Sequence, residues 1–174
     1  MHIERWDPAD HAVTMTCHET LQAAAAADDA LGPVMSLRRM VAVMKRSPDT
    51  MEAWFVHGGT SKSALGWYWL TLPGLENIDR AYLRVAVDPD CRRQGIGAEL
   101  LRHASRRASL HRRKTLVTDM AALTQLDVDP GTPEWAEQQT TSLHVIDVNT
   151  MLGYELFEPS SQMYELTIET ALST

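Results

Sequence analysis

Cysteine is scarce: Cys17 and Cys91 are the only two in 174 residues, too few for a disulfide framework and without metal-site spacing. The seven histidines form no His-x-x-x-His pair, which argues against a histidine-built metal centre. No apolar run approaches the roughly 20 residues that span a bilayer. The opening Met-His-Ile-Glu-Arg-Trp-Asp lacks a secretory signal's basic-then-apolar order. These absences predict a cytoplasmic protein with neither metal nor membrane association. There is no Gly-x-Ser-x-Gly elbow, which removes the main hydrolase alternative. A nucleoside-triphosphate loop would need Gly-Lys-Ser/Thr, which does not occur, and a dinucleotide fold would need a third glycine where Leu100 stands.

What the chain does contain is Val-Ala-Val-Asp-Pro-Asp-Cys-Arg-Arg-Gln-Gly-Ile-Gly at residues 85–97. A β-branched strand runs through a proline turn into a glycine-marked helix start. Gly95 and Gly97 lack a Cβ, so a phosphate can approach the backbone, and the unpaired amides of a first helical turn point at it with the helix dipole behind them. Arg92 and Arg93 add fixed positive charge. Between Arg92 and Lys114 lie eight of the sixteen Lys and Arg residues against one acid, Glu99. That segment carries +7 and the remainder −14, for the net −7. A basic run beside such a turn suits a compact polyanion, whereas an acidic remainder would repel extended nucleic acid.

At this length, with 44% apolar residues, one domain with a sizeable core is expected. The pattern predicts a strand over 3–6, a helix over 10–31 and a second helix over 34–44 with Val34, Leu37, Val41 and Met44 apolar. A hairpin follows, 53–57 and 64–72, around His57-Gly58-Gly59-Thr60. Trp67, Tyr68 and Trp69 fall on its second arm, where alternation turns at least one into the core and leaves a neighbour to wall a pocket. The next strand, 78–87, sets Leu83, Val85 and Val87 on one face and Tyr82, Arg84 and Ala86 on the other. In the helix after Gly95, the stripe Ile96, Leu100, Leu101, Ala104 and Ala108 faces inward, with Arg102, His103, Arg106 and Arg107 outside. A strand over 114–120, an acidic connector over 123–139, a helix over 141–152 and strands over 154–157 and 163–168 complete the reading.

Residues 85–97 resemble motif A of the GNAT superfamily of acyl-CoA-dependent N-acetyltransferases: Val87, Pro89, Arg92, Gly95 and Gly97 match Val-x-Pro-x-x-Arg-x-x-Gly-x-Gly. Near the carboxyl end, Gly153-Tyr154 is similar to the family's Gly-Phe or Gly-Tyr pair. Asn149 stands where a tyrosine is common and Ser142 where an asparagine is common, a register similar to a variant branch of actinobacterial tandem GNAT proteins. The resemblance implies an α/β (α+β) GNAT fold spanning 1–174 as a single domain. Its mixed, mostly antiparallel sheet would have six to seven strands, splayed after the fourth, with helices on both faces. It also implies acetyl-CoA, or another acyl-CoA, as cosubstrate. Val85, Ala86 and Val87 would hold the pantetheine arm, Arg92, Arg93, Gln94, Gly95, Ile96 and Gly97 the pyrophosphate, and Ser142 and Asn149 would complete the site.

An alkylammonium with a pKa of roughly 10 cannot attack a thioester until something removes its proton. The resemblance makes Glu76 and Asp79, at the start of the fourth strand, the base candidates. Tyr82 is an acid candidate, with Tyr154 and Tyr68 as weaker ones, and Asn149 is a non-titrating hydrogen-bond donor to the thioester oxygen or leaving sulfur. The function expected is N-acetyl transfer to a primary amine, on a small molecule or a protein, by direct attack in a ternary complex. A non-catalytic acyl-CoA sensor or partner-completed subunit is the alternative, and a homodimer is left open. The acidic remainder of the chain favours a cationic acceptor by long-range steering.

Overall fold

A computed structural model describes residues 1–28, 34–46, 49–59, 63–119, 155–158 and 163–167. Seven strands form one sheet in the order β1-β2-β3-β4-β5-β7-β6: β1 (His2–Arg5), β2 (Met51–His57), β3 (Gly66–Thr71), β4 (Arg80–Val87), β5 (Thr115–Asp119), β6 (Glu155–Glu158) and β7 (Met163–Thr167). Every neighbouring pair is antiparallel except β4 with β5. A parallel pair needs a crossover, and α3 (Ile96–Leu110) supplies it.

Alternation along the strands divides the core between two faces. On one face Val56, Tyr68, Leu70, Ala81 and Leu83 pack under Ile96, Leu100, Leu101, Ala104 and Ala108 of α3, the stripe expected from the sequence. Gly66 makes this contact close, for a Cβ there would stand 3.0 Å from both Ala86 O and Leu100 Cδ1. On the other face Phe55, Trp67, Trp69 and Ala86 pack with residues of α1 (His11–Ala27) and α2 (Leu37–Arg46). Trp67, Tyr68 and Trp69 are all buried, so alternation sends them to two cores and none walls an open pocket.

α1 starts where Asp10 accepts hydrogen bonds from the amides of Ala12 and Val13 at 3.1 and 3.2 Å, an N-cap that satisfies two otherwise unpaired donors. Its buried positions Val13, Cys17, Thr20 and Ala24 keep the four-three-four spacing of a single helix face. The helix ends at Ala27, earlier than the expected 31, with Asp28 as its C-cap. The Asp28 carboxylate lies at the negative end of that helix and is neutralised by Arg92. α2 begins three residues later than the sequence indicated, since Ser36 Oγ accepts from the Arg39 amide at 3.3 Å. Its buried residues are Met40 and Met44, whereas Val34 is exposed and Val41 half-buried.

Two residues expected on the outer surface of α3 turn inward. Arg107 donates through Nε and Nη2 to the Glu52 carboxylate at 2.8 and 2.7 Å, and His103 Nδ1 shares a hydrogen bond of 2.6 Å with Tyr68 Oη. Helical periodicity assigned both to solvent because their partners lie 55 and 35 residues away in sequence.

Candidate cofactor cleft and its two faces

The strand-to-helix connection is built by local bonds. Asp88 Oδ1 accepts from the Asp90 amide at 3.0 Å, the Cys91 amide donates to Asp88 O at 2.9 Å and the Arg92 amide to Pro89 O at 3.3 Å. These close a single 3₁₀ turn over Pro89–Cys91 and use up the first amides. Beyond it the pattern changes. Arg93 (φ 63°) and Gly95 (φ 82°) both take left-handed conformations, and alternating left-handed residues turn successive N–H groups to the same side, as in an anion nest. Gly95 caps α3 with no side-chain hydrogen bond. Among the described residues, the amides of Arg93, Gln94, Gly95, Ile96, Gly97 and Ala98 donate to no protein acceptor; the first helical amide that does is Glu99, to Gly95 O at 3.0 Å.

Gly97 shows that this opening is not a by-product of packing. A Cβ there would meet only Val87 Cγ2, at 3.8 Å, and one at Gly95 would meet nothing within 4 Å. Gly95 answers to its positive φ. At Gly97 the fold itself has room for a side chain, so the missing Cβ keeps space clear outside the protein. Six open amides, a helix N-terminus and that space fit a diphosphate.

β4 leads away from this turn. Its register with β3 runs the length of the strand, from Gly66↔Val87 to Thr71↔Tyr82, but with β5 it covers only Arg80↔Thr115 to Leu83↔Thr118. From Arg84 onward β4 has no second strand partner among the described residues, which is the expected splay. The Asp88 amide donates to Leu65 O. By strand alternation the backbone groups of Ala86 then face β3, and those of Val85 and Val87 face the gap. Val85 is 41% exposed, in keeping with an edge available to a pantetheine-like chain.

The predicted site residues fall into three groups. Val85, Val87 and the turn from Arg93 to Gly97 come together around the gap, with Ala86 turned into the α1 core. Arg92 sits in the turn, but its guanidinium holds Asp28 through Nη1 and Nη2 at 2.6 and 3.0 Å, so it ties the turn to the end of α1. Glu76 and Asp79 are exposed at the opposite end of β4, where Asp79 O accepts from the amides of Lys114 and Thr115. Tyr82 is half-buried on the α1 face of β4. Ser142, Asn149, Tyr154, the helix over 141–152 and the connector over 123–139 lie outside the described residues. Tyr68 is enclosed: it is buried, and burial first, then the Glu52 charge, pushes its hydroxyl above the usual range. The Cys91 thiol is also pushed up, by desolvation and by Asp88 and Asp90, which disfavours a reactive thiolate.

Much of the basic run is neutralised internally. Arg92 pairs with Asp28, Arg102 with Glu99 and Arg107 with Glu52, while Arg113 bonds the carbonyls of Pro73 and Ile78. Arg93, beside the open amides, is exposed and has no partner among the described residues. Two features escaped the sequence reading. One is Glu52, whose carboxylate receives Arg107, His111 and Trp54; desolvation raises its pKa, yet those hydrogen bonds outweigh it and bring it to about 2. The other is Arg84, half-buried with its guanidinium 5.8 Å from the Trp69 ring. Its signal was present in the sequence, as a cation at alternation distance from an aromatic run.

Residues 60–129 match the family profile described as an acetyltransferase (GNAT) domain. No curated protein sequence is significantly similar to the chain. Among solved structures it is similar to a tandem GNAT protein from the clavulanic acid biosynthesis pathway, with TM-score 0.68 and 21% identity over 90% of this chain and 44% of that one. This chain thus spans less than half the length of that protein. It is also similar to a GNAT-family acetyltransferase from Staphylococcus aureus Mu50 (TM-score 0.68, 10% identity, 96% of this chain, 98% of the other). A third match is an aminoglycoside 6'-N-acetyltransferase complexed with coenzyme A (TM-score 0.67, 15% identity, 97% of each chain). The fold is thus shared with these structures along the chain, and the resemblance to the GNAT family profile covers residues 60–129, the segment that holds the strand–turn–helix connection.

Proposed function

We propose that the chain is a single acyl-CoA-dependent N-acyltransferase unit that moves acetyl from acetyl-CoA to a primary amine by direct attack in a ternary complex. The observation that carries this reading is the run of six amides from Arg93 to Ala98 that have no acceptor among the described residues, opening beside the part of β4 that has no second strand partner among those residues. Coenzyme A supplies an activated acyl thioester. The amides and the Arg93 guanidinium would hold the diphosphate, while the backbone of Val85 and Val87 would hold the arm and aim it at the splay beyond Leu83. Ser142 and Asn149 keep the roles that the family resemblance implies.

Proton removal from the amine falls to groups on or near β4. At about 3.3 Å per residue, Asp79 lies about 13 Å along the strand from Leu83, so it or Glu76 would act through a water chain. Tyr82, next to Leu83 and with no hydrogen-bond partner among the described residues, is the nearer group to return a proton to the leaving sulfur. The distance of both carboxylates from the splay favours the second reading, a CoA-binding sensor. Thiol release from acetyl-CoA against a panel of amines decides between the two. Amine-dependent release supports the enzyme, and CoA binding without release across the panel supports the sensor.

A further inference from the structure

We propose that Arg84, with Tyr82 beside it, is an anion-binding subsite that selects an acceptor carrying a carboxylate as well as its amine. The proposal rests on the acyltransferase reading above and narrows its substrate class.

Arg84 is the first residue of β4 past the last pair with β5, Leu83↔Thr118, so it stands where the sheet divides. It pairs in register with Trp69 of β3, and its guanidinium lies 5.8 Å from that ring, a contact that holds the cation without neutralising it. Among the described residues it has no carboxylate partner, unlike Arg92, Arg102 and Arg107. A half-buried guanidinium without a counter-ion keeps much of its desolvation cost uncompensated, and a ligand's anionic group would relieve it. Tyr82 lies two residues away on the same face, about 7 Å along the strand. It is half-buried, and its hydroxyl is likewise unbonded among the described residues. Backbone atoms of Val85 and Val87 serve the gap, while Tyr82 and Arg84 project from the α1 face of the same strand, so acceptor recognition and cofactor grip use different atoms of one element.

One guanidinium balances one unit of charge, which matches a carboxylate; a phosphate monoester brings nearly two at neutral pH. The planar fork also accepts both carboxylate oxygens at once. The chain outside residues 92–114 carries −14 and attracts the ammonium end of the same molecule. The acceptor expected is therefore zwitterionic, of the amino-acid type, and not the polycation that net charge alone suggests.

The test compares amino acids with their decarboxylated amines as acceptors, with phosphoethanolamine as a separate arm. The wild-type protein should favour the acids by at least about tenfold in kcat/KM, as expected where a polar site is left unpaired by the wrong substrate. Arg84→Gln should erase that ratio through the KM of the acid, with the KM of acetyl-CoA unchanged, and Arg84→Lys should retain part of it. An unchanged ratio in Arg84→Gln, or wild-type preference for the plain amines or for phosphoethanolamine, overturns the proposal. A second measurement does not require turnover: calorimetry on the CoA-saturated protein with matched N-acetyl amino acids and N-acetyl amines. Acid-selective binding lost in Arg84→Gln supports the subsite; no binding, or equal binding of the two sets, refutes it. If CoA binds and no amine releases thiol, the acyltransferase reading fails, and calorimetry alone then decides the subsite.

Discussion

Gly97→Glu should separate stability from cofactor binding, because the two respond to the new side chain with opposite signs. Its Cβ meets only Val87 Cγ2 at 3.8 Å, so no overpacking is introduced. Gly97 occupies the second position of α3. Replacing a helical glycine with a side-chain-bearing residue recovers about 0.5 kcal/mol, and a carboxylate in the first turn adds about 0.3–1 kcal/mol through the dipole. For a chain of this size about 1 kcal/mol is about 2–4 °C in Tm, so the unliganded variant should melt slightly higher than the wild type. Binding moves the other way. A unit charge about 5 Å from another, at an effective dielectric of about 20, costs about 3 kcal/mol, before counting the second negative charge of a diphosphate or the lost space. CoA affinity should fall by at least about a hundredfold. Thermal unfolding without ligand and isothermal calorimetry with CoA read the two effects separately. Unchanged affinity would refute the cradle, and a matched fall in stability and affinity would make Gly97 a packing residue.

Glu52→Gln leaves the Arg107 guanidinium without its counter-charge and should destabilise the fold by about 3 kcal/mol or more, measured by urea denaturation. The same carboxylate has its pKa lowered from 4.5 to about 2. The stability it contributes is full above pH 4.5 and drains away as pH falls towards 2, so the difference between wild type and Glu52→Gln should shrink over that window. Gly66→Ala drives a Cβ to 3.0 Å from Ala86 O and Leu100 Cδ1 and should cost about 1–3 kcal/mol, seen as a lower Tm. Asp10→Ala removes the cap bonds to Ala12 and Val13 and should cost about 1 kcal/mol by the same measurement.

Features that depend on local periodicity were legible in the sequence. The α3 stripe, the alternating faces of β4 and the positions of the strands along the chain follow from side-chain spacing, and the glycine-marked turn follows from backbone conformations that few residues adopt. Features set by distant partners were not. The strand expected to start at residue 53 starts at Met51, and Glu52 within it meets Arg107 from 55 residues away. α1 stops at Ala27 although its alanines would continue it, and Asp28, which caps it, pairs with Arg92 across 64 residues. Arg92 illustrates the same limit within the site: its pairing with Asp28, 64 residues away, has no local signal in the sequence.

That pairing bears on how the cleft works. An unpaired Arg92 would lie among the open amides, free to fold back over them or to draw anions out of register. Held by Asp28 through two hydrogen bonds, it ties the turn between β4 and α3 to the end of α1, and under the proposed function this would set the amide row before a ligand arrives. The left-handed conformation at Arg93 costs about 1 kcal/mol or more, and this anchoring is one of the contacts that can sustain it. Preorganisation of this kind lowers the ordering cost at the moment of binding. The two-residue alternation of β4 then carries the geometry from the turn to the splay. Val85 and Val87 aim their backbone groups at the gap, and Tyr82 and Arg84 face the α1 side, so on the proposed reading one strand would serve cofactor and acceptor with different atoms.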